Sequence, residues 1–165
     1  MQIYVKPPAY KSRWQEICAI LPAYLEGGIN GTAITYLDGS AEQVDKRLCW
    51  VMNDLLFHLR SSTSVLMRRS RMLLGKTARR VPLVLNREFT LVPVKGREKL
   101  SRYDAQTGYV VLRHVACVMQ EEDRRYIGFN GGAKVRVYDN VRTLIRNIRT
   151  TEQLLEQNEP QAAAI

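Results

Sequence analysis

The spacing of apolar residues changes three times along this chain, between strand-like and helix-like patterns, and these changes limit the folds that the chain can adopt. Between residues 42 and 60 it follows the three-and-four rhythm of one face of a helix, with apolar side chains at Val44, Leu48, Val51, Met52, Leu55 and Leu59. The run from Ser61 to Ser64 offers N-caps for a second helix that ends at Leu74, where Gly75 supplies a stop. Two consecutive helices are therefore predicted, and the turn at Asp38-Gly39-Ser40 could begin the first of them.

Elsewhere the chain is dominated by strand signals. β-Branched and aromatic runs flank turn sequences such as Asn86-Arg87-Glu88 and Asn130-Gly131-Gly132, which favour hairpins. The predicted strands are 17–25, 32–37, 81–85, 89–94, 109–120, 126–129 and 133–137. A last helix is predicted from an Asp139 or Asn140 cap to residue 157. This order predicts an α+β fold, mostly antiparallel sheet with two or three helices packed against it.

Length and composition predict one domain. The 165 residues are 45% hydrophobic and 25% charged, which is normal for a globular protein. We expect a single domain over residues 1–157, with a loose N-terminal arm at 1–14 and a disordered tail at 158–165.

Targeting and cysteine signals are weak. We expect no signal peptide, and the apolar run at 109–119 is too short to span a bilayer, so no membrane contact is predicted. Three scattered cysteines suit a reduced, cytoplasmic chain with no zinc site and no disulfide framework.

Positive charge is concentrated in one segment. Between Arg60 and Arg102 lie twelve Lys or Arg residues and two acids, a local charge of +10 against +9 for the whole chain. Local basicity of this kind is typical of a surface that binds a polyanion, and arginine suits phosphates and guanine edges. A nucleic acid is the expected partner.

Catalytic motifs are weak, so no enzymatic activity, metal or cofactor is predicted. Gly75-Lys76-Thr77 is similar to the end of a phosphate-binding loop, but Ser70 occupies the position of the required glycine. His58 and His114 have no nucleophile motif nearby, and three consecutive acids at 121–123 are better explained as a solvated turn.

From Arg79 onward four segments form a recognisable order: RVPLV (80–84), LVP (91–93), YVVLRHV (109–115) and GFNG (128–131). In these segments the chain resembles the ComK family, the competence transcription factors of Bacillus-type bacteria. The last third is also similar to the LytTR DNA-binding module. The chain departs from the ComK family at Ser64 and Thr107, close to where that family has cysteines.

This resemblance implies a transcription activator that binds AT-rich paired sites on double-stranded DNA as a homodimer or higher oligomer, in the cytoplasm with the nucleoid. From the residues, we predict base contacts by the 95–102 loop and the Asn86-Arg87 turn, and phosphate contacts by the preceding basic positions. The predicted base contacts are Lys95, Arg97, Lys99, Arg102 and Arg87, and the predicted phosphate contacts are Arg68, Arg69, Arg71, Lys76, Arg79 and Arg80. A regulatory protein partner is expected at the last helix or tail.

Two other functions fit the same charge. An RNA- or ribosome-binding accessory protein would use the basic segment, but usually with more aromatic residues for base stacking than Phe89, Tyr103 and Tyr109. A protein-interaction regulator could dock an acidic partner on the same segment without any nucleic acid.

Overall fold

A computed structural model describes residues 1, 3–4, 6–75 and 80–158 of the chain. Within these residues there are nine strands and three α-helices, besides short 3₁₀ turns. In chain order they are β1 (Ile17–Tyr24), β2 (Asn30–Tyr36), β3 (Ala41–Val44), α1 (Leu48–His58), α2 (Thr63–Leu74), β4 (Leu83–Val84), β5 (Thr90–Lys95), β6 (Thr107–Val111), β7 (Val115–Glu121), β8 (Arg124–Phe129), β9 (Lys134–Val137) and α3 (Val141–Asn158). The predicted α+β class, mostly antiparallel sheet, is confirmed.

The strands form two antiparallel sheets. The larger has six strands in the order β3-β2-β1-β6-β5-β4, and the smaller has three in the order β7-β8-β9. At the centre of the larger sheet, β1 pairs with β6 through Ala19↔Val110 and Ile20↔Tyr109. The predicted hairpins β1–β2, β4–β5 and β8–β9 are confirmed.

The larger sheet is buried on both faces, because a different layer covers each face. Ile20, Leu91 and Val111 point to one face and pack with Leu55 of α1 and Leu66 of α2. The opposite face packs against the smaller sheet and α3, through residues that include Ala19, Val92, Val110, Ile127, Val137 and Leu144. The chain is therefore layered as two helices, the larger sheet, and then the smaller sheet with α3.

The first predicted helix is wrong at its beginning. Residues Ala41–Val44 form β3, which pairs with β2 through Thr32↔Val44 and Thr35↔Ala41, and α1 begins only at Leu48. The turn at Asp38-Gly39-Ser40 is tight enough to return the chain as a hairpin, with Gly39 at φ 85° and the Tyr36 amide donating to the Ser40 carbonyl at 2.9 Å. Pairing with β2 therefore determines the structure of this segment, and the apolar spacing that begins at Val44 does not.

The strand predicted over 109–120 is also wrong, because it is two strands in two sheets. β6 ends at Val111, a single 3₁₀ turn covers Leu112–His114, and β7 then enters the smaller sheet. The turn is held by His114, whose Nε2 lies 2.9 Å from the Gln15 carbonyl and whose own carbonyl accepts from the Asn130 amide at 2.9 Å. Burial lowers the pKa of His114, which keeps the imidazole neutral in this position.

The loose arm predicted for residues 1–14 is wrong from Ala9 onward. The Ala9 amide donates to the Glu42 carboxylate at 2.9 Å, and the Tyr10 hydroxyl donates to Asp54 of α1. Tyr10 is only 1% exposed and belongs to the core between the helices and the larger sheet. The predicted tail lies outside the described residues except for Asn158, which is the last residue of α3.

Replacing Tyr10 should therefore destabilise the whole domain. Tyr10→Ala removes a buried aromatic ring and the donor to Asp54, and we expect the free energy of unfolding to fall by about 3–5 kcal/mol. Tyr4→Ala is the control, since Tyr4 is 77% exposed and its loss should change the value by about 0.5 kcal/mol or less. Urea unfolding measures both, and equal small effects would show that the arm does not contribute to the core.

Candidate nucleic-acid interface

Helix α2 carries exposed arginines because its other side is anchored to the body. The Ser62 hydroxyl caps its N-terminus by accepting from the Val65 amide at 3.2 Å. Leu66 is 1% exposed, and the buried Ser70 hydroxyl donates to the Pro82 carbonyl at 2.5 Å. These contacts turn Arg68 and Arg69 to solvent and leave Arg71 half-buried.

The three arginines of α2 lie on two flanks of the helix. Arg68 and Arg71 border a surface depression together with Ser64 and Met67. Arg69 borders a separate depression with Arg60 and His58, near the end of α1. Within the described residues, none of the three α2 arginines forms an ion pair with a carboxylate.

The loop at residues 96–106 is ordered by side chains from the β1–β2 turn. The Tyr24 hydroxyl donates to the Asp104 carboxylate at 2.5 Å and accepts from the Leu100 amide at 2.7 Å. The Asn30 amide nitrogen also donates to Asp104, at 3.1 Å. These hydrogen bonds, Tyr24 first, lower the pKa of Asp104 and keep its carboxylate charged.

Arg97 has a structural position in this loop, which argues against it as a base contact. It is 7% exposed, its Nε donates to the Ala105 carbonyl at 2.6 Å, and its guanidinium lies 4.1 Å from the centre of the Tyr24 ring. A base edge could reach this side chain only if the loop opened.

Lys99 and Arg102 are the exposed cations of the same loop. The Lys99 ammonium donates weakly to the Arg102 carbonyl at 3.5 Å, and the Arg102 guanidinium donates to the Tyr103 hydroxyl at 2.6 Å. Tyr103 is 75% exposed, so this group remains open to a partner.

The loop and α2 meet around one cavity, which places several cations on one side of the molecule. Ser64 and Met67 of α2 line this cavity with Arg97 and Tyr103 of the loop, and Ser64 and Met67 also border the depression that holds Arg68 and Arg71. We call five cations the basic rim: Arg47, which lines the cavity, Arg68 and Arg71, which border the adjoining depression, and Lys99 and Arg102, which lie exposed on the same loop as Arg97 and Tyr103.

Arg47 is the member of the basic rim that the sequence did not indicate. It precedes α1, outside the segment from Arg60 to Arg102, and lines the same cavity. Its proximity depends on the packing of α1 against α2, so no signal in the sequence could have identified it.

Arg80 and Lys95 meet at a different place, the buried carboxylate of Asp139. The Arg80 guanidinium binds Asp139 with two hydrogen bonds, at 2.8 and 3.3 Å, and the Lys95 amide donates to the same carboxylate at 2.6 Å. Arg125 donates to the Asp139 carbonyl at 2.9 Å. Asp139 thus joins β4, β5 and β8 to the start of α3, and Arg80 is engaged there rather than presented to a phosphate.

The Asn86-Arg87 turn lies at the other end of β5 from the 96–106 loop. Six residues of strand separate them, about 17 Å at the usual rise of a strand. The Asn86 side chain accepts from the Phe89 amide at 2.8 Å and so serves the turn itself, while Arg87 is exposed. The predicted base contacts are therefore divided between two ends of the sheet. Lys76 and Arg79 lie outside the described residues.

Other kinds of site are not indicated in the described part of the chain. It contains no cluster of three or more His, Cys, Asp or Glu side chains placed to hold a metal ion. Among its helices, none combines the length and apolar character needed to cross a bilayer. Comparison with protein families, curated proteins and solved structures finds no match for this chain.

The role of Arg80 can be tested through stability. Arg80→Met leaves the Asp139 side chain, which is 4% exposed, without its cation, and we expect the free energy of unfolding to fall by about 1–3 kcal/mol because Arg80 itself is one-third exposed. Arg69→Met removes an exposed arginine without an ion pair and should cost about 0.5 kcal/mol or less. If urea unfolding gives the same value for both variants, the Arg80–Asp139 pair is not structural.

Proposed function

We propose that this protein is a DNA-binding transcription regulator that holds a double helix against the basic rim. The observation that carries the proposal is that Arg47 lines the cavity between α2 and the 96–106 loop, Arg68 and Arg71 border the adjoining depression, and Lys99 and Arg102 lie exposed on that loop. Within the described residues none of the five forms an ion pair with a carboxylate. Cations left without a carboxylate partner favour an external polyanion.

The rim combines a rigid element and a loop, which suits the two kinds of contact that DNA offers. Arg68 and Arg71 are one helical turn apart on a capped helix anchored by Leu66 and Ser70, so they are suited to fixing register on phosphates. Lys99 and Arg102 stand on an exposed loop and are the better candidates for entering a groove. The AT-rich target, activation and oligomeric binding remain expectations from the ComK resemblance.

The exposure of aromatic residues favours duplex DNA over single-stranded RNA. Of the three aromatic residues near the basic segment, Phe89 is 1% and Tyr109 is 7% exposed, while Tyr103 is 75% exposed. Within residues 60–109 a single exposed ring offers little stacking surface for successive unpaired bases, although Trp50 and Phe57 of α1 are also exposed, at 48% and 81%. A basic segment with little stacking surface of its own fits a regular helical backbone better.

Neutralising the rim should weaken binding in a way that salt reveals. In a variant with Arg68→Gln, Arg71→Gln and Arg102→Gln, we expect the slope of log affinity against log salt to become shallower by about 0.9 for each phosphate that is no longer neutralised, or about 2.7 in all. The slope is measured by fluorescence anisotropy with a labelled duplex at several salt concentrations.

The matched control removes the same charge from the opposite layer. Arg142→Gln, Arg146→Gln and Arg149→Gln change three arginines on α3 and should leave the slope unchanged. An equal change in both triple variants would assign binding to overall charge rather than to the rim. An unchanged slope in the rim variant would reject the rim as the binding surface.

The class of nucleic acid is tested by competition. Because residues 60–109 expose only one aromatic ring, that of Tyr103, we expect duplex DNA to displace a labelled duplex at lower concentration than single-stranded RNA of equal length at the same salt. Stronger competition by the RNA would support the accessory RNA-binding function instead. Failure of the purified protein to bind either polymer or heparin would favour a protein-interaction regulator.

A further inference from the structure

The cavity enclosed by α1, α2 and the 96–106 loop has the size and lining of a small-molecule site. Its volume is about 370 Å³, within the usual range of about 300–1,000 Å³ for ligand pockets. Most of its wall is apolar and includes flexible thioethers, with Pro22, Leu48, Met52, Met67 and Tyr109 among the lining residues. Among the described residues that line it, none is acidic.

Two lining residues hold buried polar atoms that have no hydrogen-bond partner within the described residues. They are Nη1 of Arg97, a donor, and Oδ1 of Asn30, an acceptor. The identity of the Asn30 oxygen follows from its neighbour, since the amide nitrogen must be the atom that faces the Asp104 carboxylate at 3.1 Å. Buried polar atoms are nearly always paired in proteins, and both residues line the cavity, so a ligand bound there could supply the two missing partners.

The Arg97 guanidinium is fixed in place for such a contact. Its Nε is bound to the Ala105 carbonyl at 2.6 Å and its plane lies against the Tyr24 ring, 4.1 Å from the centre. The nearest acid in this network, Asp104, already accepts from Tyr24, Asn30 and the Ser101 amide. The free donor of Arg97 is therefore held rigidly in a largely apolar wall, which strengthens its attraction for an anion.

We propose that this cavity binds a small organic carboxylate that has an apolar body and carries a hydroxyl or amide donor near the carboxyl group. The carboxylate accepts from Nη1 of Arg97, and the donor of the ligand satisfies Oδ1 of Asn30. The apolar body lies against Met52, Met67 and Leu48. Arg47 at the rim adds a second positive charge beside the opening. This site stands on the cavity alone and does not depend on DNA binding.

Three probes that share one apolar body separate the contacts. They are 3-phenylpropan-1-ol, 3-phenylpropanoate and 2-hydroxy-3-phenylpropanoate. In the second compound a carboxylate replaces the alcohol, and in the third a hydroxyl is added beside that carboxylate. With the full chain we expect calorimetry to show about tenfold tighter binding of the carboxylate than of the alcohol, and a further gain from the added hydroxyl. Equal affinity for the alcohol and the acid would overturn the assignment of Arg97 as the anion contact.

The position of binding is read from methionine methyl groups in the unaltered protein. With ¹³C-labelled methionine methyls, 3-phenylpropanoate should shift the signals of Met52 and Met67 and leave Met119 of the smaller sheet unmoved. No shift at Met52 and Met67 up to the solubility limit of the probe would overturn the proposal. So would equal shifts at all three methionines, which indicate binding without a site.

Two variants and a control complete the test. Arg97→Met should remove the preference for the acid over the alcohol, whereas Arg142→Met, which removes the same charge from an exposed position on α3 in the opposite layer, should retain it. Since Arg97→Met also removes the bond to Ala105, Met67→Trp provides an independent variant that fills the cavity from α2 and should abolish binding of all three probes. Retained acid preference in Arg97→Met, or retained binding in folded Met67→Trp, would contradict the site.

Discussion

The burial of the larger sheet on both of its faces is the constraint on which the rest of this structure depends. Antiparallel sheets often leave one face to solvent, and their strands then alternate between apolar and polar residues. Here β1 is buried from Ile17 to Leu21, and both layers pack on it. Helices α1 and α2, of which α2 carries two cations of the basic rim, pack on one face, and α3 and the smaller sheet pack on the other. The larger sheet therefore fixes the positions of surface side chains on both layers.

Much of the fold could be predicted from the sequence where local signals and tertiary packing agree. The apolar stripe and Ser62 cap of α2, the glycine turn of β8–β9 and the Asn140 cap of α3 are of this kind. The sequence was misleading where pairing across the sheet decides. Val44 of β3 begins the apolar spacing of a helix, but its strand pairs with β2, and the apolar run after Tyr109 conceals a change of sheet at a single 3₁₀ turn. Local periodicity does not reveal strand pairing, even between neighbouring strands of a hairpin.

The arginines show why the candidate site was only partly predictable. A basic segment indicates a binding surface, but the role of each side chain depends on burial that a sequence does not display. Arg80 binds a buried carboxylate and Arg97 packs against an aromatic ring, while Arg68 is exposed on α2 earlier in the same basic segment. Arg47 joins them from outside the segment because α1 packs beside α2. Arginine thus makes internal contacts at some positions of this region and is exposed to solvent at others. Only the packing of the layers determines which of the two occurs at a given position.

The pairing of β1 with β6 also has a consequence for biosynthesis. Ala19 and Val110 are neighbours at the centre of the sheet although they are distant in sequence, and contacts of this kind make folding slow. Until β6 has emerged from the ribosome, the three strands β3, β2 and β1 are left with β1 as an unpaired apolar edge. The nascent chain before residue 111 is therefore the species most prone to aggregate, and the one for which a chaperone would matter most.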